Sequence, residues 1–132
     1  MEALPLIKAI LLASTSVTAR MAGGIYMNAA PEGAALPSII MMSVGSGAEG
    51  LTHSGPDGLL QGRVRIWARA KTIDAAVALG VAIDKTLHGY AGMVDGAFVQ
   101  QVKKVFTEAD YSDAALVQQA ILDFRIQWNR KP

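Results

Sequence analysis

The chain has 132 residues, a length that suits one domain able to bury roughly two-thirds of its unfolded surface without disulfide or metal staples. It contains no cysteine and only two histidines, His53 and His88, which excludes thiol chemistry and disfavours a structural zinc site. With 12 Lys+Arg against 11 Asp+Glu, overall charge gives no reason to expect a dedicated nucleic-acid binder, and no apolar run approaches the ~20 residues that span a bilayer.

Residues from about Glu2 to Ala13 read as a helix, with Leu4, Ile7 and Leu11 on one face and Leu6 and Ile10 beside it. Pro5 falls in the first turn, where its missing N–H costs little. Glu2 and Lys8 argue against a secretion signal, which needs an uncharged core. Ser14-Thr15-Ser16 breaks the period, and Gly23-Gly24 precedes a short strand at Ile25-Tyr26-Met27. Ala30-Pro31-Glu32-Gly33 is turn chemistry. The nearly continuous apolar run Ser38 to Val44 then suits a strand covered on both faces.

Gly45 to Gly58 holds five glycines and one proline in fourteen residues. Such a segment favours exposed, irregular backbone, and with strands on either side it is expected to form a long flexible loop, the tip of an extended hairpin or flap. Leu60 to Lys71 is the clearest strand. Val64, Ile66, Ala68 and Ala70 alternate with Arg63, Arg65, Trp67, Arg69 and Lys71, which gives one apolar and one basic face.

Thr72 suits an N-cap, Asp74 lies in the first turn, and Ile73, Val77, Gly80 or Val81, Ile83 or Asp84, and Leu87 follow helical spacing up to a stop at His88-Gly89. Val94-Asp95-Gly96-Ala97 reads as a turn into a strand from Phe98 to Thr107, followed by a looped acidic cluster of Glu108, Asp110 and Asp113. In the last strand, Val117 to Asn129, Ala120, Leu122, Phe124, Ile126 and Trp128 share one face, while Asp123, Arg125, Gln127 and Asn129 take the other. The expected architecture for 1–132 is a single α+β domain, with a mixed or antiparallel sheet of about five strands and two helices packed on one face.

Nothing in the sequence assembles into a catalytic or cofactor site. No serine sits in a nucleophile elbow, His88 reads as a helix-end residue, and His53 as a loop residue. The acidic cluster lacks the regular spacing, central glycine and closing glutamate of an EF-hand loop. Gly45 to Gly50 matches G-x-G-x-x-G only formally, since no helix start follows. The notable non-core feature is charge segregation. Met21 to Gly62 contains no Lys or Arg but holds Glu32, Glu49 and Asp57, and then Arg63, Arg65, Arg69 and Lys71 come within nine residues, around Trp67. That basic face can pair with acids within the chain or on a neighbouring subunit, stay solvated, or bind single-stranded nucleic acid by charge and stacking.

The ordered set of signals resembles the tail-terminator or tail-completion family of long-tailed phages and gene transfer agents. The likeness is carried by the N-terminal helix, Gly24-Ile25-Tyr26 with Ala30-Pro31, and Leu36-Pro37-Ser38-Ile39. It continues through the glycine-rich segment, Val64-Arg65-Ile66-Trp67-Ala68 leading to Leu87-His88-Gly89, and Leu122-Asp123-Phe124-Arg125-Ile126-Gln127-Trp128. The resemblance implies a non-enzymatic virion protein without cofactor or metal, assembled in the host cytoplasm and located at the head–tail junction. It implies a homo-oligomeric hexameric ring that caps the tail tube, ends its polymerisation and joins the head connector, with tail-tube and head-completion proteins as partners, DNA only as passing cargo, and no membrane. A ring needs two different patches on each subunit. Glu32, Glu49 and Asp57 against Arg63, Arg65, Trp67, Arg69 and Lys71 are the candidates for them, and Leu51, Thr52, His53, Asp57 and Leu59 are the candidates for contact with the tube.

Overall fold

A computed structural model of the chain describes residues 3–30, 35–47, 51–52, 55–56, 59–112 and 117–130. The elements run α1 (Ala3–Leu12), α2 (Thr15–Thr18), β1 (Ile25–Met27), β2 (Ser38–Gly47), β3 (Leu51–Thr52), β4 (Gly55–Pro56), β5 (Leu59–Ala70), α3 (Ile73–Leu87), β6 (Gly92–Val94), β7 (Ala97–Ser112) and β8 (Val117–Arg130). Six strands form one sheet in the order β1-β2-β5-β8-β7-β6, one more than the sequence suggested, and β3 and β4 pair separately. The sheet is mixed because β1 joins β2 in parallel, while every other pairing is antiparallel.

Period-two alternation explains the layers. Ile39 and Met41 of β2, Val64, Ile66 and Ala68 of β5, and Leu122, Phe124 and Ile126 of β8 are buried on one sheet face. Leu6, Ile7, Ile10 and Leu11 of α1, and Ala76, Leu79, Ile83 and Leu87 of α3, cover that face. The run Ser38 to Val44 is not covered on both faces as expected. Ile40 and Met42 are only half-buried and Val44 is exposed, because the helices pack on one side of the sheet alone.

Local chemistry sets the ends of α3. The Thr72 hydroxyl accepts from the Ala75 N–H at 3.2 Å, Asp74 sits in the first turn and Lys85 in the last, and Gly89 takes φ 82° just beyond the C-cap. Thr72→Ala is expected to cost about 1 kcal/mol, measured by urea unfolding, with little change in the slope of the transition. His88 stands at the C-cap of α3, the helix-end position read from the sequence. Its Nδ1 accepts the Lys104 N–H at 3.0 Å, a contact that ties the end of α3 to β7. The helix phase differs in part from the expected stripe. Ile73, Val77 and Val81 point outward, whereas Gly80, Ile83 and Leu87 of that stripe are buried together with Ala76 and Leu79.

Asp95 and Gly96, both at positive φ (47° and 82°), form the two-residue loop that joins β6 to β7. β7 does not stop at Thr107. It continues to Ser112, so Glu108 and Asp110 belong to a strand rather than a loop. Asp113 lies outside the described residues. Two irregularities in the pairing, between Val99 and Gln101 and between Lys104 and Phe106, re-aim β7. The first puts Lys104 opposite Phe124 on the helix side, and the second returns the inward row to Thr107 opposite Leu122. The glycine-rich segment leads from β2 through the β3–β4 pair, Leu51 opposite Pro56 and Thr52 opposite Gly55, into β5.

Candidate subunit interface

The sheet face opposite the helices carries the basic strand. β5 lies between β2 and β8, so its outward residues are flanked on both sides. Trp67 stands between Ile40 and Ile121, and Arg65 between Met42 and Asp123. Trp67 and Arg69 are half-buried, and Lys71 is exposed just past the strand.

Asp123 is the buried acid at the centre of this face, with no side-chain exposure. It accepts from Arg65 Nε at 2.8 Å and Arg65 Nη2 at 3.1 Å, and from Arg63 Nη2 at 2.9 Å. Arg65 is directly opposite it in register, whereas Arg63 is opposite Arg125 and reaches it diagonally. Burial alone would push the Asp123 carboxyl up. The hydrogen bonds from Arg65 and Arg63, reinforced by their charges, outweigh burial and hold it below the ordinary aspartate value. Both arginines keep outward surface, with side chains 44% and 38% exposed for Arg63 and Arg65, so the cluster can still be contacted from outside.

One row further along the strands, Arg63, Arg125 and Lys103 lie side by side across β5, β8 and β7. Like charges in such positions repel. Among the described residues no acid pairs with Arg125 or Lys103. Asp123 offsets only one of the two guanidiniums bound to it, so among the described residues this face is cationic both at Asp123 and beside it.

Of the candidates named from sequence, Arg63, Arg65, Trp67 and Arg69 share this face, with Lys71 just beyond it. Leu51 and Thr52 form β3 and Leu59 opens β5. Glu32, Glu49, His53 and Asp57 lie outside the described residues. Sequence reasoning put Asp123 on the outward row of its strand but did not pair it with anything. The available signal was an acid two residues before Arg125 on a strand able to lie antiparallel to Arg63-Val64-Arg65. It also missed Lys103 and Arg125 as continuations of the basic row.

Among the described residues, the feature that stands out on this small α+β fold is the basic, helix-free sheet face. The chain matches the family described as tail completion protein gp17 over residues 5–128. It belongs to that family, and is a structural protein of a phage-type tail. A search of curated proteins found no match. Among solved structures, the fold is similar to a chain in the virion of a native gene transfer agent particle, at a TM-score of 0.66 and 16% identity, covering 94% of this chain and 92% of that one.

Proposed function

We propose that the protein assembles into a hexameric ring that caps the tail tube, ends its polymerisation and joins the tail to the head connector. The observation that carries this reading is the family match over nearly the whole chain, supported by a fold shared along its length with a chain of a gene transfer agent virion. In this reading the protein sits in the virion at the head–tail junction after assembly in the host cytoplasm, and DNA passes through as cargo. Tail-tube protein and a head-completion protein are the neighbours above and below.

The interface in this reading joins the base-free segment bearing Glu32, Glu49 and Asp57 of one subunit to the Arg63, Arg65, Trp67, Arg69 and Lys71 region of the next. Arg63 and Arg65 retain outward surface after binding Asp123, as such a contact requires. The tip residues Leu51, Thr52, His53, Asp57 and Leu59 are proposed to reach the tube. Native mass spectrometry of the full chain over a range of concentrations tests the ring. A discrete sixfold mass, alone or after adding tail-tube protein, is expected. A monomer under both conditions would overturn the reading. Arg69→Glu is expected to shift assembly to higher protein concentration, and unchanged assembly at physiological salt would remove the charge-pairing interface.

A further inference from the structure

Part of the α3 stripe that helical spacing picks out is left outside the core by the fold. Ile73, Val77 and Val81 follow one another at four-residue steps along α3, with 42%, 44% and 47% of their surface exposed. Single exposed apolar residues are ordinary. These three are contiguous, however, and Val77 and Val81 continue into a groove of about 310 Å³ between α3 and the β7–β8 hairpin. Gly80, Ala120 and Leu122 form part of its lining, and Lys104 and Thr107 belong to its β7 side.

The groove depends on small residues. A Cβ on Gly80 would lie 3.2 Å from the Ala120 Cβ, tighter than ordinary contact, so the bare glycine gives the helix room to lie close to the strand. At the polar end of the groove, Asp84 Oδ2 holds Lys104 Nζ at 3.0 Å. Asp84 Oδ1 is shielded from solvent without a hydrogen-bond partner among the described residues. An apolar trough ending in an unsatisfied acceptor suits an inserted side chain with polar groups beside it.

A second exposed apolar patch exists on the same molecule but cannot reach the groove. Met93 and Phe98 are direct cross-strand neighbours on the β6–β7 hairpin, with 56% and 41% of their surface exposed. β6 is an edge strand. Phe98 pairs with Asn129 on the open face of the sheet, whereas Thr107 of the groove pairs with Leu122 on the helix face. The two patches are thus on opposite faces and, at ~3.4 Å per residue, roughly 30 Å apart along β7.

We infer that the α3 groove of one copy receives the Met93–Phe98 pair of the next copy. Two complementary, non-overlapping patches on one chain make a head-to-tail contact, the kind that closes into a ring when the rotation allows. Phe98 is the rigid anchor and Met93 the adaptable filler of an irregular trough. Polar residues flank the patch, with Gln100 bonded to Asn129 beside Phe98. This contact rests on the ring reading and supplies it with an apolar centre alongside the proposed charged contacts.

The absence of cysteine makes the test direct, because an introduced pair has no thiol competitors. Full-length V81C and F98C are mixed and bridged by a short bismaleimide, then compared with each variant alone. The mixture is expected to give a crosslinked dimer absent from either alone, and the V81C/F98C double variant a ladder of higher species. Val81→Glu and Phe98→Glu should each raise the concentration for half-assembly by about tenfold or more, with an unchanged melting temperature for the monomer. A wild-type ring in which the mixture does not crosslink, or in which Val81→Glu assembles normally, overturns the inference and leaves the ring reading in place. A wild-type chain that stays monomeric even with tail-tube protein overturns both.

Discussion

Replacing Gly23 by alanine is expected to destabilise the fold by about 3 kcal/mol or more, the largest effect of any single-methyl change considered. An added Cβ would lie 1.8 Å from the Ala35 carbonyl oxygen, 2.7 Å from its carbon and 2.9 Å from the Pro37 oxygen. All three are backbone atoms, so no side-chain rotation relieves the overlap. The two segments are held together there by the Gly23 N–H donating to Pro37 O at 2.7 Å and the Ile39 N–H donating to Gly24 O at 2.9 Å. Moving them apart breaks the parallel pairing of β1 with β2. The Tyr26 hydroxyl, which donates to Gly23 O at 2.8 Å, would be lost with it. Urea unfolding at neutral pH reads the effect, and a loss below about 1 kcal/mol would show that the crossing segment can yield.

Arg65→Met is the second large expectation, at about 2–3 kcal/mol near neutral pH. It removes two of the three hydrogen bonds to Asp123 and leaves a fully buried carboxylate held by Arg63 alone. The figure lies below that for a wholly buried pair because the Arg65 side chain is 38% exposed and partly screened. Arg63→Met, which removes a single bond, should cost about 1 kcal/mol. Asp123→Ala should cost less than Arg65→Met, because it strands no buried charge and leaves both arginines able to reach water.

The same pair sets a pH dependence. The carboxyl of Asp123 is held below its ordinary value in the folded chain, so the stabilisation it provides is present above the unfolded value of about 3.9. It is lost as pH falls through the folded value, when the carboxylate takes up a proton. The stability gap between wild type and Arg65→Met is therefore expected to be widest near neutrality and to close in strong acid. A gap that is constant from pH 7 to pH 2 would assign the cost of the substitution to lost packing of the arginine stem instead of to charge.

Both effects depend on contacts far apart in sequence, which marks where sequence reading stops. Short-range chemistry was legible. The Thr72 cap, the Asp95-Gly96 turn, the alternation of Arg63 to Lys71, and the inward row from Ala120 to Trp128 all follow from residues within one element, and the structure has each of them. The α+β class, the helices on one sheet face and the family followed from the order of those elements.

The helix phase of α3 was not legible, and the reason is composition. Apolar residues and alanine surround the helix on almost every side, so Ile73-Val77-Val81 and Leu79-Ile83-Leu87 are both plausible core stripes by periodicity. Only docking on the sheet chooses between them. The choice goes to the stripe with Ala76 and Gly80 beside it, because small residues let the helix approach β8 closely.

By itself, the sequence determined the local geometry of this protein. It placed the caps, turns and strand faces and set a charge pattern that concentrates bases after Gly62. The tertiary structure decided what those faces meet. It brought Asp123 to Arg63 and Arg65 across 60 and 58 residues of chain, turned Lys104 toward α3 by an irregularity in β7, and left one apolar helix stripe outside the core. Such outcomes depend on register and on packing between distant segments, where one residue of slip exchanges the two faces of a strand.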